Sequence, residues 1–165
     1  WFAEKVRALG LPKVGVMIEV PAAAIRSRGI LYHVDFASLG TNDLQQYTMA
    51  ADRMQGELAN LLNPWEPALL DVVALACEGG QAMGKPIGVC GEAAGDPGLA
   101  LVLAGLGISS LSMAPGKVPA VRTALALHTR SQCQQMAAAA RAATTAPEAK
   151  AAVMKIADPV LADLL

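Results

Sequence analysis

The chain has 165 residues, 54% of them hydrophobic and 16% charged, which excludes a disordered segment and fits one domain with a core burying roughly two-thirds of the unfolded surface. Lys and Arg total 13 against 14 Asp and Glu, a formal charge of −1, so there is no basic field to wrap nucleic acid and no lysine-rich face for a membrane surface. The three cysteines, Cys77, Cys90 and Cys133, are widely separated and odd in number, which argues against a disulfide framework and a structural zinc site.

The chain opens on Trp1, in the amphipathic run WFAEKVRALG, with no initiator Met and no signal-like leader, and is expected to continue upstream in its native form. Every apolar window is broken by Gly, Pro or charge, so no bilayer span is expected and a cytoplasmic location is the default. One plan then repeats: a short apolar run ending in polar residues, followed by a helical pattern. The first run is Val14–Glu19, with Pro21-Ala-Ala-Ala-Ile25 opening a helix. The second is Val34–Leu39, followed by Gly40-Thr-Asn-Asp43 and a segment through Arg53. Asn63-Pro-Trp-Glu-Pro67 introduces a helix to about Met83, with Gly84 where a C-terminal cap belongs. The third run is Pro86–Cys90, followed by Gly91–Asp96 and a helix from Pro97 to about Ala104. The fourth is Ile108–Met113, followed by Ala114-Pro-Gly116 and a helix from about Val118.

Apolar strands alternating with helices predict an α/β fold whose parallel sheet is covered on both faces. Four βα units do not close an eight-stranded barrel, so periodicity leaves two architectures open: a small open sheet or half of a barrel. Beyond Arg130 the chain is alanine-rich, with breaks near Thr144–Pro147 and Asp158-Pro159, and reads as two or three terminal helices that finish the fold.

In parallel α/β folds ligands bind beyond the carboxyl ends of the strands. Three of the four runs end there in reactive types: Glu19, then Asn42 and Asp43, then Cys90 with Glu92. A carboxylate closing an apolar strand needs a cation or donors, and two at one rim suit Mg²⁺, which takes oxygen ligands and shares them with phosphates and water. On residue type alone Glu19 favours the metal role, and Asp43 favours capping the next helix. Arg53 reads as a solvated arginine or as one that folds back to clamp a phosphate. Cys90 precedes Gly91 at a strand end and points to the mouth, where a thiol can donate a proton. Cys77 and Cys133 read as packing residues. His33 falls between a helix and a strand and His128 in a long helix, both as ordinary polar packing.

The segments VGVMIEVPAAAI, DFASLGTNDLQQYTMAADR, GKPIGVCGEAAGD and SSLSMAP resemble, in order and spacing, the barrel of the phosphoenolpyruvate (PEP)-utilising enzymes, from about Val14 to Val121. Gln46–Arg53 and Cys90–Asp96 are most similar to enzyme I of the bacterial sugar phosphotransferase system; pyruvate phosphate dikinase and PEP synthase are the alternatives. The resemblance implies a (β/α)8 TIM-type barrel, with residues 1–125 as its C-terminal half and 126–165 as helices packed on it. It further implies Glu19 and Asp43 as Mg²⁺ ligands, Asn42, Asp43 and Arg53 at the substrate, and Cys90 as the acid that protonates the enolate. The implied partners are PEP and pyruvate, a histidine-containing phosphocarrier protein and a second copy of the chain in a homodimer. Two departures matter: neither His33 nor His128 lies in a phosphohistidine motif, and the first four barrel strands are absent. The 165 residues alone are therefore expected not to turn over PEP. A binding or dimerisation module and a flavodoxin-like domain are the rival readings.

Overall fold

A computed structural model describes residues 1–165. The elements follow in order: α1 (Phe2–Ala8), β1 (Gly15–Ile18), α2 (Pro21–Ile25), α3 (Ser27–His33), β2 (Phe36–Gly40), α4 (Thr41–Met49), α5 (Pro67–Met83), β3 (Ile87–Cys90), α6 (Pro97–Leu106), β4 (Ser110–Ser112), α7 (Val118–Leu127), α8 (Arg130–Arg141), α9 (Ala146–Met154) and α10 (Leu161–Leu164). Short 3₁₀ turns occupy Gly56–Leu61, Glu92–Gly95 and Pro115–Lys117.

The four strands form one parallel sheet in the order β1-β2-β3-β4. Sequential order matters, because right-handed crossovers between strands that never reverse direction across the sheet put every helix on the same side. Only one face is therefore covered. Val14, Ile18, Ala37, Leu39, Ile87 and Val89 point into that covered side and are buried with Leu31, Leu69, Val73 and Ala76. The opposite face carries Gly15, Met17, Phe36, Ser38, Gly88 and Ser110; Met17 is 54% exposed and Phe36 41%. This corrects the expectation of a sheet covered on both faces: the alternate positions, Met17 and Phe36 among small and polar residues, face no helix, and the two large side chains stay about half exposed.

Local signals explain most boundaries. Pro67 begins α5 where its missing N–H costs nothing, and Gly84 ends it in the left-handed conformation at φ +62. Asp96 caps α6, its Oδ1 accepting from the N–H groups of Gly98 (2.8 Å) and Leu99 (3.0 Å), while its Oδ2 accepts from Trp65 Nε1 at 3.3 Å. The helix opened by Pro21 runs to Ile25 and breaks at Arg26 before α3 begins. Lys85 closes the end of α3 by donating to the carbonyls of Leu31 and Val34. At the amino-terminal rim of the sheet, Asp35 accepts from the Val14 N–H at 2.8 Å and pairs with Arg7 at 2.9 Å; these contacts, the backbone bond first, hold its carboxyl below the ordinary range.

A second core lies away from the sheet, where α6 meets the terminal helices. Trp65, Leu70, Leu99, Leu101, Val102, Met136, Val153 and Leu161 are all buried there. Gly105 makes the approach of α6 to α8 possible: a Cβ on it would stand 2.1 Å from the carbonyl oxygen of Cys133. Three helices follow Arg130, and His128 is not inside a long helix as its neighbours predict. It ends α7 in an extended conformation, Nδ1–H donating to the Ala124 carbonyl (2.7 Å) and Nε2 accepting from the Asp158 N–H (2.9 Å). The imidazole thereby pins the loop before α10 to the end of α7.

Candidate active site at the carboxyl rim

Register places the candidate residues. Ile18 pairs with Leu39, so Glu19 falls level with Gly40, which pairs with Cys90 and through it with Ser112. Glu19 and Cys90 thus share one row of the uncovered face, two strands and about 10 Å apart by strand spacing. The Glu19 side chain leans across Gly40, where a Cβ would stand 3.1 Å from Oε2. Glycine there keeps the rim open for the carboxylate.

The next residues open α4, and its first turn carries Thr41, Asn42 and Asp43. Asp43 does not cap this helix: the N-cap is Gly40 and no side chain bonds there. The capping alternative fails for Glu19 as well, since Val20 is the N-cap of α2 and has no side-chain partner either. Asp43 instead faces Arg53, with Nη2 to Oδ1 at 3.4 Å, so the half-exposed arginine folds back toward the rim. The return is built by Ala50, the one non-glycine residue at positive φ (51°), which ends α4, and by Gln46 Oε1 accepting the Arg53 N–H at 3.2 Å.

The end of β3 is tied to the start of α4. Thr41 Oγ1 donates to the Cys90 carbonyl at 3.1 Å, and Asn42 Oδ1 accepts the Glu92 N–H at 3.3 Å. The Cys90 thiol donates to the Leu39 carbonyl at 3.4 Å. Asp96, at the end of the same sequence motif, is occupied by its cap and by Trp65. All five residues singled out in the sequence, Glu19, Asn42, Asp43, Arg53 and Cys90, therefore lie at the carboxyl ends of β1, β2 and β3. Thr41, quoted within a motif but given no role from sequence, is the additional residue; its partner is 49 positions away, so no local pattern reveals it. Beside Asn42 an open cleft of about 860 Å³ extends past β3 and β4, walled by Glu92, Asp96, Met113, Lys117 and, from the terminal helices, Lys150.

Two carboxylates, Glu19 and Asp43, stand at this rim, the oxygen donors that a hard divalent cation takes. Glu19 takes part in none of the four ion pairs, and Asp43 has only the long contact to Arg53. The chain has no group of three or more His, Cys, Asp and Glu placed to hold a metal ion by itself.

The cysteines separate sharply. Burial, with the neighbouring Glu78 charge, pushes the Cys77 thiol up to about 12, and burial raises Cys133 as well. Both stay protonated and unreactive near neutrality. Iodoacetamide at pH 8 is therefore expected to label half-exposed Cys90 first, with Cys77 and Cys133 labelled only on unfolding; peptide mass mapping checks this, and early labelling of Cys77 contradicts it. The sign for stability follows: between about 9 and about 12 the unfolded chain ionises Cys77 while the folded one does not, so stability falls as pH rises through that window.

A singly wound parallel sheet with carboxylate, amide, guanidinium and thiol side chains along its carboxyl rim defines an α/β domain. Residues 3–130 match the family of PEP-utilising enzymes, PEP-binding domain, and the chain belongs to that family. Among curated relatives it is 55% identical over 156 residues to a phosphoenolpyruvate-protein phosphotransferase of Streptomyces coelicolor, covering 94% of this chain and 28% of that protein. It is 44% identical over 138 residues to a multiphosphoryl transfer protein of Xanthomonas campestris pv. campestris, covering 84% of this chain and 16% of that protein. A phosphoenolpyruvate-protein phosphotransferase of Mycoplasma pneumoniae is 41% identical over 143 residues, covering 87% of this chain and 25% of that protein. The chain thus spans between about a sixth and a little over a quarter of these relatives.

Proposed function

We propose that the chain is the carboxyl-terminal part of the PEP site of a phosphoenolpyruvate-protein phosphotransferase. The parent would move the phosphoryl group of PEP to one of its own histidines and then to a histidine-containing phosphocarrier that serves sugar uptake. The observation that carries the reading is the convergence of Glu19, the Asp43–Arg53 pair, Asn42 and Cys90 on one rim. Residues 1–125 form half of a TIM-type barrel in this reading, closed by four further strands of the parent over the uncovered face, and 126–165 pack on it as terminal helices. The parent is a cytoplasmic homodimer. No helix of the chain is long and apolar enough to cross a membrane.

The division of labour follows from charge. Glu19 and Asp43 would hold Mg²⁺, which when bound neutralises phosphate and enolate oxygens. Arg53 offers a planar, permanently charged donor to phosphoryl oxygens, and Asn42 offers its amide N–H₂, because its oxygen is already engaged by Glu92. The P–O bond of PEP breaks with its electron pair left on the enolate, while phosphorus bonds to a histidine nitrogen of the parent. The methylene carbon then takes the proton of the Cys90 thiol, giving pyruvate, and water reprotonates the thiolate.

The test uses the full-length parent with PEP and Mg²⁺, following pyruvate release with and without a phosphocarrier, and separately with AMP and pyrophosphate. Turnover that needs the carrier and ignores nucleotide supports the proposal. Turnover that needs AMP assigns the parent to the dikinases, the alternative within the same family, and no turnover in either arm overturns the proposal. The 165 residues alone, lacking the closing strands, are expected to release no pyruvate.

A further inference from the structure

We propose that Thr41 is a positioning residue for proton delivery, the central strut of a latch that locks the Cys90 loop to the first turn of α4. The inference rests on Cys90 as the proton donor. Three hydrogen bonds cross between Leu39–Asn42 and Cys90–Glu92: Thr41 Oγ1 to the Cys90 carbonyl, the Glu92 N–H to Asn42 Oδ1, and the Cys90 thiol to the Leu39 carbonyl. The contact between them is close packed. Gly91 sits at φ +111, and a Cβ on it would stand 2.6 Å from Thr41 Oγ1 and 3.0 Å from Asn42 Oδ1. Only a residue without a side chain lets the loop lie against α4 in this way.

Thr41 acts through Cys90 and not on substrate. It is 3% exposed, and its single hydroxyl proton lies in the bond to the Cys90 carbonyl. Asn42, the next residue, is bonded to the loop by its oxygen and keeps its N–H₂ for the phosphoryl end of the substrate. The same helical turn thereby holds the group that meets the phosphoryl oxygens and the loop that carries the acid. One small substrate spans the two, so the latch fixes the thiol relative to the position where the carbanion forms. Displacements of about 1 Å are enough to degrade such a transfer.

A planar enolate has two faces. A fixed thiol protonates one of them, whereas solvent protonates both. The test therefore reads stereochemistry in the full-length parent, using the methyl homologue of PEP, phosphoenol-2-oxobutyrate, turned over in D₂O to 3-deuterio-2-oxobutyrate and trapped by immediate reduction. The unmodified protein is expected to give one enantiomer in excess. Thr41→Val is expected to lower the enantiomer ratio about tenfold, equivalent to about 1.4 kcal/mol between competing protonation routes, and Thr41→Ser to restore it. A loss of folded protein changes the amount of product and not this ratio, so a merely structural role leaves the ratio where it was. An unchanged ratio in Thr41→Val overturns the latch. A Cys90→Ala protein that keeps the native ratio, or an unmodified protein that gives racemic product, overturns Cys90 as the donor and the inference with it.

Discussion

Glu19→Gln and Asp43→Asn in the full-length parent are each expected to lower pyruvate release from PEP by about 10³-fold, the scale of removing several kcal/mol of charge stabilisation from phosphoryl transfer. The two side chains share a rim but not a structural role. Neither caps a helix, and Glu19 has no ion-pair partner to lose. Each amide is isosteric with the carboxylate it replaces, so the fold is expected to survive, with the dimer intact by light scattering. The signature of metal ligation is that activity of both variants shifts to higher Mg²⁺ concentration. Asp43→Asn carries a second consequence, because it releases Arg53 from its 3.4 Å contact and leaves that cation without an opposing charge. If either variant keeps activity within about threefold of the native protein at limiting Mg²⁺, that carboxylate is not a ligand.

Cys90→Ala is the second large effect expected. General acids contribute about 10²–10⁴-fold, and steady-state pyruvate formation is expected to fall by that order. The structural cost is small. Cys90 is half-buried at the open rim, and its one side-chain bond is the weak thiol contact to Leu39, so truncation opens little cavity. The measurement that isolates the step is a single turnover following the phosphohistidine and pyruvate separately. Pyruvate that trails phosphohistidine, with transient enolpyruvate in solution, places the loss at protonation. Equal slowing of both products would instead mean that Cys90 supports binding of PEP, and unchanged rates would remove it from the reaction.

Local chemistry made much of this legible from residues alone. The start of α5 at Pro67 and its end at Gly84 follow from backbone constraints, and the order of strands and helices follows from period. Glu19, Asn42, Asp43 and Cys90 could be placed at strand ends because strand ends can be read. What escaped depends on long-range geometry. Whether Asp43 caps its helix or stands free is decided by the entry angle of Gly40, not by residue type. Arg53 returns to the rim because Ala50 adopts a left-handed conformation, which an alanine does not advertise. His128 looked like part of a helix because its contact with Asp158 lies thirty positions downstream. The bare face of the sheet escaped for a different reason: small residues such as Gly15, Ser38 and Gly88 within apolar runs look like any buried strand until the strand order is known.

In the proposed barrel, that bare face would link the stability of the rim to the strands that close over it. Met17 and Phe36 retain about half of their contact with water, and burying the rest would contribute about 1 kcal/mol each, half the value of a full burial. In the proposed barrel that free energy is realised only when the remaining strands close over the sheet, so the row holding Glu19 and Cys90 is rigid only to the extent that the other half grips it. Substitutions on strands that never touch substrate would then loosen the metal ligands and the acid together. Activity lost in this way would be recovered by second-site changes that repack the closing strands against Met17 and Phe36, which makes the barrel interior the natural place to look for suppressors.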